Sequence, residues 1–350
     1  MLACQVPMRL ADDVFAHDFP RGGMRGLLDA ARAHRSAGHP LVLAAVIDTE
    51  GSTYVKRGTF ALFGESGLLA GALSGGCLEP ELERRARAVL ESGRAARVLL
   101  DTTEPGDRVF GSGLGCRGRL DVLLLPAPPP SGGTLGALLR AGDERSGLSL
   151  TFSLAAEALG AGIASAAGWK EAFGPDGRRS DAGEPEPPTA RLDVPPPVTL
   201  LLLGAGPETP AFLSLARSLG WTTVVVDHRA RWSEPARHAG ADEVHAVRPA
   251  EGHAALSMRR FDAILFASHS LELDREHLAA WKDTAAEYVA LLGPAARARD
   301  LLDEAGIAES ELARRLHAPA GMSLGTYGAE AVALALAAGF ERFLGERRRP

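Results

Sequence analysis

The 350-residue chain has few cysteines, few aromatic residues and no long apolar run. Cys4, Cys77 and Cys116 are too few for a disulfide framework and fit a reducing compartment. Because none forms a CxxC pair, a structural zinc or iron–sulfur site is not expected. No apolar run approaches the roughly 18 residues of a membrane span, and the first residues contain no signal-like apolar core. We therefore expect a cytoplasmic protein that does not bind membranes.

Positive charge is also limited, since the formal net charge is −6. This balance argues against non-specific binding to nucleic acid, and the one basic run, Arg347–Arg349, is expected to be a solvated tail. The length is sufficient for two domains, each with its own core.

A glycine–cysteine turn is the most distinctive feature of the first half of the sequence. Leu68–Leu73 predicts a short strand, and from Leu78 the apolar residues recur at helical spacing. Ser74–Cys77 therefore precedes a helix N-terminus, where glycine amides and the helix dipole favour an anion. The same position would lower the pKa of the Cys77 thiol. A small cysteine that only fills a tight turn explains the residue equally well.

Two further loops carry similar residues. The loop 110–118 combines glycines with a cysteine immediately before a predicted strand, and the loop 50–58 is polar with two adjacent cations. Turns and β-bulges alone would explain the glycines. We expect all three loops to lie on one side of a sheet. They would contribute Ser52, Lys56, Arg57, Gly113, Gly115 and Cys116.

The rest of the first half predicts an α+β domain over residues 1–197. Helices are predicted over Met24–Ala37, from Leu78 and over Leu135–Arg140. Strands are predicted over Leu41–Ile47, Thr59–Phe63, Leu68–Leu73, Ala95–Leu100, Leu120–Leu125 and Leu148–Leu154. Residues 174–197 are rich in proline, glycine and charge, and are predicted to be an exposed loop or linker.

From residue 198 onwards, apolar strands alternate with helical segments, which is typical of a Rossmann-type, doubly wound parallel sheet. The second domain is accordingly assigned to residues 198–350. Its predicted strands are Val198–Leu203, Thr222–Val226, Glu243–Val247, Phe261–Ala267 and Tyr288–Leu292.

The first turn of this second domain resembles a dinucleotide-binding loop only in part. Gly204 and Gly206 lie where a pyrophosphate would rest, and Asp227 ends the next strand, where an acidic residue accepts a ribose hydroxyl. Thr209 replaces the third glycine and Pro207 removes an amide. NAD(P) binding is therefore one alternative, and a Rossmann-type scaffold without a dinucleotide is the other.

His269 follows the fourth strand of this domain, and Asp274 lies in the next helix. Ligands bind at the carboxyl ends of the strands in open α/β sheets, so His269 is placed to contact a phosphate or to carry a proton. A histidine that only caps its own loop is equally consistent with this position.

Taken together, these motifs resemble the XdhC/CoxI family of xanthine dehydrogenase accessory proteins. The segments that carry the resemblance are Glu50–Tyr54, Gly71–Glu79, Gly111–Cys116, Gly204–Glu208, Val226–Arg229, His269 with Asp274, Leu291–Gly293 and Gly321–Gly325. The resemblance covers about Arg25 to Gly339.

The resemblance implies a homodimeric chaperone that binds the molybdenum cofactor (molybdopterin). It would hold the cofactor while a cysteine desulfurase adds the sulfido ligand, and would deliver it to a molybdenum hydroxylase. Cys77 would contact the molybdenum or its sulfido ligand, since a thiolate is a soft ligand. The implied cofactor-binding residues are Ser52, Lys56, Ser74, Gly75, Gly76, Cys77, Glu79, Gly113, Gly115, Cys116, Gly204, Gly206, Asp227, His269 and Asp274.

Two other functions remain open from the residues alone. The first is a nicotinamide-dependent oxidoreductase that uses the second domain, through Gly204, Gly206 and Asp227. The second is a thiol-based redox module, which predicts a disulfide between Cys77 and Cys116 on mild oxidation.

Overall fold

The structure is a computed structural model that describes residues 22–102, 117–129, 132–233, 240–307, 311–325 and 327–347. Its strands form three sheets, which we name A, B and C in chain order. Sheets A and B belong to the first half of the chain, and sheet C belongs to the second. No helix in the described ranges combines the length and apolar character that crossing a membrane requires.

Sheet A has five antiparallel strands in the order β3-β2-β1-β5-β4. The elements around it are α1 (Gly23–Ser36), β1 (Leu41–Gly51), β2 (Phe60–Gly64), β3 (Gly67–Ala70), α2 (Glu79–Ser92), β4 (Ala96–Asp101), β5 (Gly118–Ala127) and α3 (Gly133–Asp143). Helix α2 packs on one face, and α1 and α3 pack on the other. Because β1 is covered on both faces, Leu41–Ile47 is apolar without interruption and is buried.

Sheet B is antiparallel, with the order β10-β6-β7-β8-β9. Its strands are β6 (Leu148–Ser153), β7 (Gly162–Ala166), β8 (Trp169–Phe173), β9 (Arg179–Ser180) and β10 (Thr189–Val194). Strands β9 and β10 lie inside the segment that composition assigns to an exposed loop or linker. The prolines on either side of β10 dominate that composition, yet all six β10 residues pair with β6, and Ala190 and Leu192 are buried.

Sheet C has six parallel strands in the order β13-β12-β11-β14-β15-β16, which is the Rossmann order 3-2-1-4-5-6. Its elements are β11 (Thr199–Leu203), α4 (Thr209–Ser218), β12 (Thr222–Val226), α5 (Ala230–Ser233), β13 (Glu243–His245), α6 (Pro249–Leu256), β14 (Ala263–Phe266), α7 (Leu271–Trp281), β15 (Tyr288–Leu291), α8 (Ala295–Glu304), α9 (Glu311–Arg315), β16 (Leu316–His317) and α10 (Ala329–Arg347). The predicted fold class, an α+β domain followed by a Rossmann-type sheet, is confirmed.

The first half contacts sheet C near the amino ends of its strands. The Gly22 amide donates to the Arg217 carbonyl (3.0 Å), and the Arg25 guanidinium reaches Thr222 and the Asp242 carboxylate (3.3 Å). Thr222 begins β12 and Asp242 precedes β13. The carboxyl ends of the strands, where ligands bind in this fold, therefore lie at the opposite edge of the sheet.

Candidate functional site

The three loops singled out in the first half connect to strand ends at one edge of sheet A. Strand β1 ends at Gly51 opposite Gly118, where β5 begins, and β4 ends one register position away at Asp101. Strand β3 ends at this edge as well, and Gly71 follows it. We call this side of the sheet the loop edge. The loops 50–58 and 71–79 leave from it, and the strands that flank residues 103–116 end and begin there.

Ser52 is held against the start of β5. Its amide donates to the Arg117 carbonyl (3.1 Å), and a Cβ on Gly118 would lie only 2.3 Å from the Ser52 carbonyl oxygen. Only glycine permits this approach, because any side chain at position 118 would collide with main-chain atoms. The backbone of the loop 50–58 is therefore fixed beside residues 117 and 118, where β5 begins.

Lys56 and Arg57, the two cations of the loop 50–58, contact different parts of the chain. Lys56 Nζ donates to Thr53 Oγ1 (3.2 Å) and stays exposed at the loop edge. The Arg57 guanidinium donates to the Arg191 carbonyl of β10 in sheet B. Lys56 is thus the cation that this loop offers to a ligand.

Ser74 and Glu79 lock the second loop onto the start of α2. The Glu79 carboxylate accepts hydrogen bonds from the Ser74 amide (2.9 Å) and hydroxyl, and Ser74 Oγ accepts from the amides of Gly76 (3.2 Å) and Leu78 (3.0 Å). Burial acts to raise the pKa of Glu79, but these hydrogen bonds outweigh it and hold the pKa below its usual value. The amides of Ser74 and Gly76, expected to face an anion, therefore donate to the chain itself.

Gly75, Gly76 and Cys77 form the open part of this loop. Both glycines are exposed, and a Cβ on either would meet no atom within 4 Å. The amides of Gly75 and Cys77 have no acceptor among the residues that the structure describes. Cys77 is a free cysteine, half-buried against the apolar cluster under α2. A thiol and two main-chain donors thus stand beside unfilled space.

Gly113, Gly115 and Cys116 lie outside the described residues. The strands on either side of them are joined at the loop edge, because the Thr102 hydroxyl donates to the Gly118 carbonyl (2.7 Å) and accepts from the Gly118 amide (3.1 Å). A disulfide between Cys77 and Cys116 stays a prediction.

In the second half, the glycine turn after β11 is closed by side chains of the chain itself. The Ala205 amide donates to Asp227 (2.9 Å), and the Gly206 amide donates to Thr209 Oγ1 (2.8 Å). A Cβ on Gly206 would lie 2.3 Å from His269 Nε2, and one on Gly204 would lie 2.4 Å from the Ser268 Cα. The glycines therefore admit neighbouring residues, and the amides that would hold a pyrophosphate are already bonded.

Asp227 directly follows β12, at the predicted position, and its carboxylate pairs with an arginine. Its carboxylate accepts from Arg229 Nη2 (2.6 Å), Arg229 Nε (3.0 Å) and the Arg229 amide (2.8 Å). Burial opposes ionisation, yet these bonds lower the pKa of Asp227 below its usual value. A ribose hydroxyl would have to displace Arg229 to reach the Asp227 carboxylate. This geometry therefore gives no support to nicotinamide binding, which stays a prediction.

His269 pairs with Glu208 beside the glycine turn. Its Nε2 lies 3.1 Å from Glu208 Oε2, its φ is +55°, and Glu208 is buried. The hydrogen bond to Glu208 raises the pKa of His269 above its ordinary value, against the opposing effect of burial. The imidazole is thus held in place by a buried carboxylate and favours its cationic form.

Asp274 is almost fully buried, with one oxygen bound by the Ser268 hydroxyl (2.5 Å) and the other by Arg297 Nη2 (2.6 Å). It positions these two groups and has no free face for a ligand. The predicted site residues therefore form two groups, one at the loop edge of sheet A and one at the carboxyl edge of sheet C. No hydrogen bond or ion pair in the described ranges joins the two groups.

Comparison with known proteins matches both halves to one family. A model of the XdhC and CoxI family matches residues 34–101, and a model of the XdhC Rossmann domain matches residues 200–340. The chain belongs to the XdhC/CoxI family. The XdhC matches include the glycine–cysteine turn at Cys77 in the first half and the cluster around His269 in the second.

Two relatives of this XdhC-type chain match it over most of their length. A protein of Bacillus subtilis described as a probable subunit of xanthine dehydrogenase is 25% identical over 313 residues, which cover 85% of this chain and 91% of the relative. A crystal structure described as a xanthine dehydrogenase of Bacillus halodurans is 26% identical, with a TM-score of 0.78, and covers 92% of this chain and 96% of its own.

Three residues that the sequence patterns do not single out complete the group of charged side chains at the carboxyl edge of sheet C. Glu208 and Arg229 stand in the sequence only as members of longer motifs, and Arg297 belongs to no motif. Only the fold brings Glu208 next to His269 and Arg297 next to Asp274, whereas Arg229 lies two residues after Asp227 in the chain. The signal that could have found them is their position, because each follows the carboxyl end of a strand by a few residues.

Proposed function

We propose that this chain is an accessory protein of a xanthine dehydrogenase-type enzyme and that it binds the molybdenum cofactor as cargo at the loop edge of sheet A. The single observation that carries the proposal is Cys77, a half-exposed free thiol beside two exposed glycines whose surroundings are open. Family membership supports the accessory role, and the names of both relatives connect those proteins with xanthine dehydrogenase.

The chemistry of the loop edge fits this cargo. The cofactor carries a phosphate and an anionic dithiolene, and both groups suit the exposed ammonium of Lys56. They also suit the amides of Gly75 and Cys77, which have no acceptor among the described residues. A cysteine sulfur is a soft ligand that suits a soft metal or a labile sulfur. Ser74 and Glu79 would keep the turn in shape before and after the cargo arrives.

In this proposal the chain holds the cofactor during sulfuration by a cysteine desulfurase and then delivers it to a molybdenum hydroxylase, acting as a homodimer in the cytoplasm. The exposure of the loop supports transfer, because a cargo bound at an exposed edge can be reached by a second protein. Cys116, Gly113 and Gly115, in the segment between β4 and β5, would supplement Cys77.

The test is retention of released cofactor by the purified full-length protein after gel filtration, measured as molybdenum content and as fluorescence of the oxidised pterin. We expect wild type to retain cofactor and Cys77→Ser to retain at least tenfold less. Cys4→Ser, the same chemical change outside all three motif loops, is the matched control and is expected to behave as wild type. Absence of cofactor from the wild-type peak would overturn the proposal.

A further inference from the structure

Three basic side chains lie at the carboxyl edge of sheet C, and each is paired with a buried carboxylate. Two are arginines, and the third, His269, is a cation when its ring is protonated. Arg229 pairs with Asp227 (2.6 Å), Arg297 with Asp274 (2.6 Å) and His269 with Glu208 (3.1 Å). The carboxylate side chains are at most 5% exposed, whereas the Arg229, Arg297 and His269 side chains are 27%, 21% and 48% exposed. The carboxylates are therefore buried beneath the surface, and the basic side chains paired with them are partly exposed to solvent.

The three pairs are joined through the end of β14. Arg229 Nη1 donates to the Ser268 carbonyl (2.7 Å), and the Ser268 hydroxyl donates to Asp274, which also binds Arg297. His269 is the next residue along the chain. Ser268 is fully buried, so this one residue fixes the spacing of all three cations.

The unused hydrogen-bonding capacity of these three basic side chains consists of donors. Arg297 uses Nη2 on Asp274, which leaves Nη1 without a partner in the described part of the chain. His269 uses Nε2 on Glu208, so the protonated ring presents Nδ1–H, and Arg229 keeps one Nη1 hydrogen. Donors on preorganised cations match the oxygens of a phosphate group, which arginine binds with particular geometric specificity.

The usual phosphate position of this fold is closed here. The amides of Ala205 and Gly206 donate to Asp227 and Thr209, and the His269–Glu208 pair lies against Gly206. An anion approaching this edge would therefore meet the three basic side chains before the glycine turn.

We propose that Arg297, His269 and Arg229 form a second binding site, separate from the Cys77 loop, for the phosphate group of a small phosphorylated ligand. This site goes beyond cofactor carriage at the loop edge and does not depend on it. The ligand is defined by its phosphate, which a nucleotide and the cofactor itself both possess.

The site can be tested with inorganic pyrophosphate and the full-length protein by isothermal titration calorimetry. Wild type is expected to bind, and His269→Gln and Arg297→Gln are each expected to bind at least tenfold more weakly. Arg275→Gln is the matched control, because Arg275 belongs to α7 but pairs with the exposed Glu304. Its affinity should equal that of wild type.

Arg297→Gln leaves Asp274 buried without its cation and could unfold the domain, so Arg297→Lys serves as a folded comparison with a retained charge. It should bind pyrophosphate better than Arg297→Gln, with a melting temperature near that of wild type. Absence of binding to wild type, or equal binding by wild type, His269→Gln and Arg297→Lys, would overturn the site.

Competition identifies the source of the phosphate. Displacement of pyrophosphate by a nucleoside monophosphate supports the site and indicates a nucleotide ligand, and displacement by released molybdenum cofactor supports it and indicates the pterin. Cys77→Ser is expected to bind pyrophosphate as wild type does. Failure of this site and failure of the proposed cargo function are therefore distinguishable.

Discussion

At the scale of single residues, the second half buries several titratable side chains, and His277 differs from the carboxylates among them. Asp227, Asp274 and Glu208 each have a cationic partner, whereas His277 Nδ1 is buried and has no partner in the described residues. Burial lowers the pKa of His277 to about 4, with Asp227 opposing that shift and the nearby His228 and Arg229 side chains adding to it. His277 is therefore neutral in the folded chain at neutral pH.

This shift predicts an acid-sensitive fold. The unfolded chain binds a proton at His277 near pH 6.5, so the unfolded state takes up more protons between about pH 6.5 and 4 and stability falls as pH falls through that window. From pH 7 to pH 5 this one group should lower the free energy of unfolding by about 2 kcal/mol. Urea unfolding of wild type and His277→Phe at both pH values measures it. Equal losses in the two proteins would contradict the assignment.

At the scale of elements, close main-chain packing decides where the motif loops lie. Gly118 and Gly75 differ in what surrounds them, since a Cβ at position 118 would meet the Ser52 carbonyl at 2.3 Å and one at position 75 would meet nothing within 4 Å. The sequence shows both as glycines in glycine-rich loops. The close contact at Gly118 depends on the pairing of β1 with β5, which no local sequence pattern predicts.

These two glycines predict opposite outcomes for the same substitution. Gly118→Ala should lower the free energy of unfolding by about 1–3 kcal/mol, because the overpacked backbone has to move. Gly75→Ala should change it by less than about 0.5 kcal/mol, as for an open surface position, but should reduce cofactor retention, because the methyl group fills the space beside Cys77. Chemical unfolding and gel filtration with released cofactor separate the two effects. A strongly destabilised Gly75→Ala would contradict the description of an open loop.

At the scale of the whole molecule, the first half meets sheet C through the start of α1. Arg25 lies 3.3 Å from Asp242, and the side chains are only 27% and 11% exposed. Partial burial reduces screening by solvent, so this pair should couple the two halves more strongly than an exposed ion pair does.

A double-mutant cycle with Arg25→Ala and Asp242→Ala should give a coupling free energy of about 1 kcal/mol or more. The control is the Arg32–Asp143 pair at 2.6 Å, which is 40% and 67% exposed and lies within the first half. Its coupling should be below about 1 kcal/mol, as for exposed pairs. The free energies come from urea unfolding, and a larger value for the control pair would contradict the importance of the contact between halves.

The sequence by itself determined the elements whose signal is local. The alternation of apolar strands and helices from β11 onwards predicts the parallel sheet, and the apolar runs Thr59–Phe63 and Leu68–Leu73 predict strands β2 and β3. Strand β10 escapes such prediction because its neighbouring prolines outweigh two inward apolar residues, so its pairing with β6 is a tertiary effect.

Only the tertiary structure decided which charged groups meet. Asp227 directly follows β12, as the sequence predicts. The pairs Glu208–His269 and Asp274–Arg297, in contrast, join side chains that follow different strands, β11 with β14 and β14 with β15. Periodicity reports which face of an element is buried, because burial follows the local repeat of apolar residues. Ion pairing between distant segments depends on strand order and register, which the whole chain sets when it folds.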